Sequence, residues 1–161
     1  MQIPLGLRER IMAANVGQMR RLTAMRRESV DSHGAKDLGW DEDIEGAAAE
    51  LIVAKYLNVF WNLETDVGDP DIGTNIQVRW TRRHDNSLIV RPSDPPDHFY
   101  VLVTGQMPTM TIQGFILGLE AQDPAWLRSP NGRAAAWFVP SEYLASIDEL
   151  PLFLTRTLQP C

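Results

Sequence analysis

Residues 68–80, GDPDIGTNIQVRW, bring together side chains that could bind a metal ion and a phosphate group. Asp71 follows a proline and precedes a tight Gly-Thr-Asn break, after which an apolar run begins. Gln77 and Arg79 stand two residues apart in that run, so in a strand they project from one face. Mg²⁺ prefers oxygen ligands, and a guanidinium suits phosphate. The stretch indicates either a metal-dependent phosphate site or an acidic turn followed by ordinary strand residues.

A further acid, Glu50, is predicted on the buried face of a second helix. Asp43 would cap this helix over residues 44–58, and Asn58 would end it. On a helical wheel the glutamate shares its face with Ala47, Val53, Ala54 and Leu57. An unpaired buried carboxylate is costly, so Glu50 needs either an arginine, such as Arg79, or a bound cation. With Asp71, for which Asp66 and Asp69 are competing candidates, it would complete an oxygen-rich pocket.

The remaining elements must position these residues. An apolar stripe predicts an N-terminal helix over 5–28, formed by Leu5, Met12, Val16, Met19 and Leu22. Alternation or apolar runs predict strands at 59–63, 75–81, 88–91, 98–105, 111–121 and 134–140. The 88–91 strand is expected to return beside 75–81 as a hairpin. Three prolines within 92–97 exclude a long helix there, and a short capped helix is expected from Ser141. This order predicts an α/β or α+β domain around one sheet.

Length and charge limit the class of protein. A chain of 161 residues is expected to form one domain. The sequence has no run of 18 apolar residues and no signal-peptide pattern, which predicts a protein without membrane contact. Its single cysteine fits a reducing compartment, so we expect a cytoplasmic protein. The net charge of −6 argues against a wholly basic nucleic-acid binder.

Arginines are nevertheless concentrated in two segments, 8–27 and 79–83. Arg20 and Arg21 in the first helix, and Arg82 and Arg83 after the 75–81 strand, are predicted to contact a nucleic-acid backbone. The alternative is a solvated helix face, with arginines favoured near the helix C-terminus, and a solvated turn.

Taken together, the helix EGAAAELIVAKYL with Glu50, the Pro70-Asp71 pair and the Gln77-Val78-Arg79 strand resemble the PD-(D/E)XK nuclease superfamily, or restriction-endonuclease-like fold. The resemblance covers about residues 43–82. It implies a mixed central sheet flanked by helices, with a nuclease-like core over 43–140, preceded by the basic helix and followed by a C-terminal helix and tail over 141–161. Several segments, such as DIGTNIQVRWT, YVLVTG and IQGFILGLEA, also resemble uncharacterised phage-encoded proteins.

The resemblance implies a role for each matched residue. Asp71 would be the main ligand of Mg²⁺ or Mn²⁺, Gln77 the second ligand and Val78 a carbonyl donor. Arg79 would stand in place of the family's lysine, and Glu50 would match its helix acid. Two positions depart from the family pattern. Gln77 is neutral and weakens metal binding, and Arg79 cannot act as a general base because its pKa is too high.

Two functional hypotheses follow. The first is a phage-derived, metal-dependent DNA endonuclease with Glu50, Asp71, Gln77 and Arg79 converging in one cleft. The second is a catalytically degenerate protein of the same fold that binds nucleic acid or a protein partner. A homodimer is compatible with both. A structural phage protein that merely shares a sheet is the remaining alternative.

Overall fold

A computed structural model of the chain describes residues 1–26, 39–63 and 69–157. Its helices are α1 (Leu7–Arg26), α2 (Trp40–Leu57), the single turn α3 (Gly118–Ala121) and α4 (Leu150–Thr157). Its strands are β1 (Gln2–Pro4), β2 (Ile76–Thr81), β3 (Leu88–Val90), β4 (Phe99–Gln106), β5 (Thr109–Leu117), β6 (Leu127–Arg128) and β7 (Ala136–Val139). The expected α+β class is confirmed.

The strands form two sheets rather than one. The main sheet has the order β1-β5-β4-β2, in which β2 pairs with β4 in parallel and the other pairs are antiparallel. The small antiparallel sheet has the order β3-β7-β6. The expected hairpin between β2 and β3 is therefore wrong. β3 pairs with β7, and β2 is left as an edge strand of the main sheet.

Two apolar cores lie on opposite faces of the main sheet. The helices α1 and α2 pack on one face, against residues that include Ile76, Val78 and Val101. The small sheet covers the other face, where Tyr100, Leu102 and Ile116 are buried. The alternation predicted for 75–81 is confirmed, because Ile76 and Val78 point to the helix side. Among the described residues, every helix is too short or too polar to cross a bilayer.

The helix α2 is longer at its start than predicted. It begins at Trp40 after Gly39, which makes no side-chain cap, so Asp43 lies in the first turn and does not cap the helix. Its end is confirmed at Asn58, whose left-handed conformation (φ 53°) directs its N–H to the carbonyls of Ala54 and Lys55. Asn tolerates this region better than most residues do. The expected loop over 31–43 lies largely outside the described residues.

Residues 59–63 do not form the expected strand. The N–H of Val59 is still bonded to the carbonyl of Ala54 at the end of α2, and Leu63 has a positive φ of 57°. These two constraints bend the segment, and only an isolated bridge joins Trp61 to Ile72. The expected short helix from Ser141 is also wrong. Ser141–Tyr143 and Ile147–Glu149 are 3-10 turns, and a regular helix begins only at Leu150.

The apolar stripe of α1 points mostly away from the core. The helix contacts α2 through Ala13 and Gly17, which are buried. A Cβ atom at Gly17 would lie 2.5 Å from the Cα atom of Ile44, so the two backbones approach very closely. The exposed apolar side chains of the helix are Leu7, Ile11, Met12, Met19, Leu22 and Met25, each 41–65% exposed. The small residues, rather than the large ones, determine which face of α1 is buried.

Candidate functional site

Glu50 is buried on α2, as its helical face predicted. It is 5% exposed and lies in the run of buried residues Ala47–Ala54. Both carboxylate oxygens are engaged by Arg20 of α1, with Nη1 to Oε1 at 2.5 Å and Nη2 to Oε2 at 2.7 Å. The indole Nε1 of Trp61 also donates to Oε2 at 3.0 Å. Of the two partners that the sequence left open, the structure therefore shows an arginine, and it is Arg20 rather than Arg79.

Asp71 lies next to this pair at the outer edge of β2. Its Oδ2 accepts a hydrogen bond from the backbone N–H of Val78 at 2.6 Å. Burial and the neighbouring Glu50 carboxylate raise the pKa of Asp71 from 3.8 to about 7, against the opposing effects of the Val78 hydrogen bond and of the Arg79 and Arg20 charges. The two carboxylates are therefore near enough for Glu50 to disfavour ionisation of Asp71.

Gln77 and Arg79 project to the opposite face of the main sheet from Glu50. In the β2–β4 register Gln77 lies beside Tyr100 and Arg79 beside Leu102, and both neighbours belong to the core under the small sheet. Residues that lie side by side on two paired strands project from the same face of the sheet. The helix α2 packs on the opposite face. The expected convergence of all four side chains in one cleft is therefore not what the fold builds. Asp71, at the strand edge, lies between the two groups.

The contacts of Gln77 and Arg79 agree with this placement. The Gln77 amide donates to the backbone carbonyl of Asp69 at 3.2 Å. The Arg79 guanidinium donates to Asp94 at 2.9 Å and lies 5.4 Å from the ring centroid of Tyr100. Asp69 and Asp66 are the two competitors for the role of Asp71. The Asp71 carboxylate is bonded to β2, whereas Asp69 contacts it through its backbone carbonyl. Asp66 lies outside the described residues.

The residues that the structure describes do not form a ready divalent-cation site. Within the described parts of the chain, no group of three or more His, Cys, Asp or Glu side chains is placed to hold a metal ion. Mg²⁺ can be bound with fewer carboxylates when water and phosphate complete the shell. However, the guanidinium of Arg20 already neutralises Glu50 through both oxygens. A cation would have to displace Arg20 before it could use Glu50.

The four predicted nucleic-acid-binding arginines separate into two pairs. Arg20 and Arg21 turn toward α2, where Arg21 Nε lies 3.9 Å from the Asp43 carboxylate. At these two positions α1 does not form a fully solvated arginine face. Contact of Arg20 and Arg21 with a nucleic-acid backbone stays a prediction. Arg82 and Arg83 are exposed after β2, and Arg83 pairs with Asp85 at 2.6 Å.

Arg20 is the site residue whose role the sequence analysis missed. A usable signal existed, because Ala13, Gly17, Arg20 and Ala24 follow one another at helical spacing and make a narrow face of small residues with one arginine in it. The larger apolar side chains on the other face gave a stronger helical pattern, and that face was therefore predicted to be the buried one.

Comparisons with known proteins add no relative from which a role could be taken. No protein-family model matches the chain, and neither the curated proteins nor the solved structures contain a significant match to it.

Proposed function

We propose that this protein binds nucleic acid without cleaving it, through the side of the main sheet that carries Arg79 and the exposed loop after β2. The observation that supports this proposal over cleavage is the two-bond contact between Arg20 and Glu50. In this reading, Arg20 supplies the positive charge that a divalent cation supplies in the nucleases the sequence resembles.

The other matched positions favour binding over hydrolysis as well. Arg79 remains charged at any physiological pH, so it can hold a phosphate but cannot remove a proton from water. Its bond to Asp94 keeps it on the face opposite Glu50. Gln77 adds no negative charge, and its amide nitrogen is bonded to the Asp69 carbonyl. These residues orient a guanidinium and contribute no second acidic ligand.

The nucleic-acid part of the proposal rests on exposed positive charge beside β2. Arg82 is exposed in the β2–β3 connection and Arg91 is exposed directly after β3. Arg83 is also exposed, but it is paired with Asp85, and Arg79 on β2 is paired with Asp94. Because the whole chain carries a net charge of −6, binding requires a local positive patch, and we propose this one. Arginine contacts to phosphates release counterions, so the affinity must fall as salt rises.

The first test is the affinity for single-stranded and duplex DNA, measured by fluorescence anisotropy between about 50 and 200 mM salt. We expect salt-sensitive binding that weakens in the double variant Arg82→Gln/Arg83→Gln. Its matched control, Arg128→Gln/Arg133→Gln, removes two other exposed arginines, one of them on β6 at the far edge of the small sheet. An affinity that is absent, independent of salt, or equally reduced in both variants would contradict the proposal.

A second candidate function is metal-dependent phosphodiester hydrolysis, with Mg²⁺ or Mn²⁺ as cofactor. The observation that favours it is the proximity of Glu50 and Asp71. Burial and then the Glu50 carboxylate raise the pKa of Asp71 to about 7. A divalent cation between two repelling carboxylates would relieve that repulsion. In a strand, the N–H and C=O of one residue point to the same side, so the Val78 carbonyl faces the edge where Asp71 lies.

The two candidates are separated by a cleavage assay on plasmid and single-stranded DNA with Mg²⁺ and with Mn²⁺. The binding proposal predicts no cleavage by the purified protein in either metal. Metal-dependent nicking that disappears in both Asp71→Ala and Glu50→Gln would instead establish the second candidate. The arginine variants above serve as controls, because they leave both acids intact.

A further inference from the structure

A cleft of about 460 Å³ lies between β2 and the small sheet. Because β3 pairs with β7 rather than with β2, β2 remains an edge strand, and the cleft is lined by residues of both strands. Arg79 and Arg91 bring two guanidinium groups to its wall. Pockets that bind small molecules in proteins span roughly 300–1,000 Å³. The cleft is large enough for such a ligand and separate in the fold from the Glu50 contact on the other face.

Asp94 organises the cationic side of the cleft. One of its oxygens accepts both the Arg79 guanidinium and the backbone N–H of Arg91, each at 2.9 Å. Arg79 is further held over the ring of Tyr100, yet its Nε has no hydrogen-bond partner among the described residues. Arg91 is exposed. One arginine is thus fixed in place and the other is accessible, an arrangement suited to a phosphate group.

The other walls combine apolar and hydrogen-bonding groups. Ile89, Leu102 and Phe138 supply an apolar surface, including one aromatic ring. On the loop side, Asn86 donates to the hydroxyl of Thr81, and both residues line the cleft. An inorganic phosphate would leave the apolar wall exposed to water, whereas a ligand with a flat ring and an attached phosphate would cover it.

We propose that this cleft binds one nucleoside monophosphate unit, with the phosphate between Arg79 and Arg91 and the base against the apolar wall that contains Phe138. The inference rests on the proposed nucleic-acid function and specifies where a single nucleotide of the strand is held. The same chemistry would accept a free nucleotide or the terminal nucleotide of a strand. Asp85 at the rim does not cancel the site, because its carboxylate is paired with Arg83.

The experiment titrates the protein separately with adenosine 5′-monophosphate, adenosine and inorganic phosphate. Binding is measured by calorimetry and by changes in the amide chemical shifts. We expect the monophosphate to bind more tightly than either of the other two probes, with the shift changes concentrated in residues 79–91. Arg91→Gln should weaken the monophosphate by about tenfold or more, because it removes a charged hydrogen-bond donor. Phe138→Leu should weaken it while leaving phosphate binding unchanged.

Arg128→Gln is the matched control, since it removes an exposed arginine on β6 that does not line the cleft. Unchanged thermal unfolding of Arg91→Gln shows that its effect is local, because the Arg91 side chain is exposed. Equal binding of adenosine and its monophosphate, no binding of any probe, or an affinity unaffected by both cleft variants would overturn the inference.

A parallel titration with a short single strand distinguishes this inference from the proposed function. Strand binding without monophosphate binding would overturn the cleft inference and leave the proposed function standing. Monophosphate binding without strand binding would support the cleft as a site for a free nucleotide and overturn the proposed function. Binding of both, with Arg91→Gln affecting both, supports the terminal or internal nucleotide of a strand as the ligand.

Discussion

At the scale of single residues, the contact between Arg20 and Glu50 joins α1 to α2 through a carboxylate that is buried on α2. Both side chains are shielded from water, with 20% and 7% of their surfaces exposed. A partly desolvated ion pair contributes little net stability, but removing one member leaves the other charge unpaired. The pair therefore makes the acid tolerable in the core.

We expect Arg20→Met to lower the free energy of unfolding by about 3 kcal/mol, because it leaves the buried Glu50 carboxylate without its main partner. Urea unfolding measures the change. Arg21→Met is the matched control on the same helix, and its longer contact of 3.9 Å to Asp43 predicts a smaller loss. The double variant Arg20→Met/Glu50→Met should recover much of the loss. Equal costs for Arg20→Met and Arg21→Met would contradict the assigned importance of the pair.

The raised pKa of Asp71 predicts a specific dependence of stability on pH. Burial and the Glu50 carboxylate raise this pKa to about 7 in the folded chain, against 3.8 for an ordinary Asp. The folded state therefore binds the proton more tightly than the unfolded state, so stability is lost as pH rises between these two values. Asp71→Asn should remove that loss.

We therefore expect the free energy of unfolding of Asp71→Asn, relative to the unaltered protein, to increase by about 2–3 kcal/mol from pH 5 to pH 8. Urea unfolding at several pH values measures the difference, and Asp85→Asn, an exposed acid, is the control. A difference that is constant with pH would show that Asp71 titrates normally.

At the scale of secondary-structure elements, the packing of α1 on α2 depends on a close approach at Gly17. Its missing side chain allows the backbone of α1 to lie against Ile44 of α2. This contact also brings Arg20, one turn further along α1, to Glu50. The geometry of the site is therefore set by a residue that takes no part in its chemistry.

We expect Gly17→Ala to destabilise the fold by about 1–3 kcal/mol, since its Cβ would lie 2.5 Å from backbone atoms that cannot move independently. Gly46→Ala on α2 is the matched control, because a Cβ there meets nothing within 4 Å. It should stabilise the helix by about 0.5–1 kcal/mol through propensity alone. Thermal or urea unfolding measures both changes, and the same sign for both would contradict the close-packing account.

At the scale of the whole molecule, the outer face of α1 exposes several large apolar side chains among the residues that the structure describes. Positions 11, 15, 18 and 22 follow one another along this face at helical spacing. In an antiparallel alignment with a second copy, Ile11 would meet Leu22 of that copy, and Asn15 would meet Gln18. In such an arrangement the Asn15 and Gln18 amides would face each other in two equivalent pairs and could hydrogen-bond, which favours self-association.

We therefore expect concentration-dependent dimerisation, measured by analytical ultracentrifugation. Met19→Gln/Leu22→Gln should shift the equilibrium to the monomer with little effect on stability, because both side chains are about half exposed already. Leu119→Gln, an exposed leucine on α3, is the control. A monomer at every concentration, or dimers unaffected by the α1 substitutions, would contradict this expectation.

The sequence by itself determined the features that depend on neighbouring residues. The alternation of Ile76, Val78 and Trp80 predicted β2 and its buried face, and the helical spacing around Glu50 predicted its burial. Asn58 marked the end of α2. Each of these features follows from steric and solvation effects within a few residues of chain, which a periodic pattern records directly.

Only the tertiary structure decided which elements meet. β2 pairs with β4 rather than with β3, and this choice places Arg79 on the face opposite Glu50. α1 buries its small residues, which selects Arg20 as the partner of Glu50. The physical reason is that strand pairing and helix orientation are determined by the free energy of filling both cores at once, to which residues far apart in the chain contribute together. The pattern of residues in one segment therefore cannot predict which elements pair.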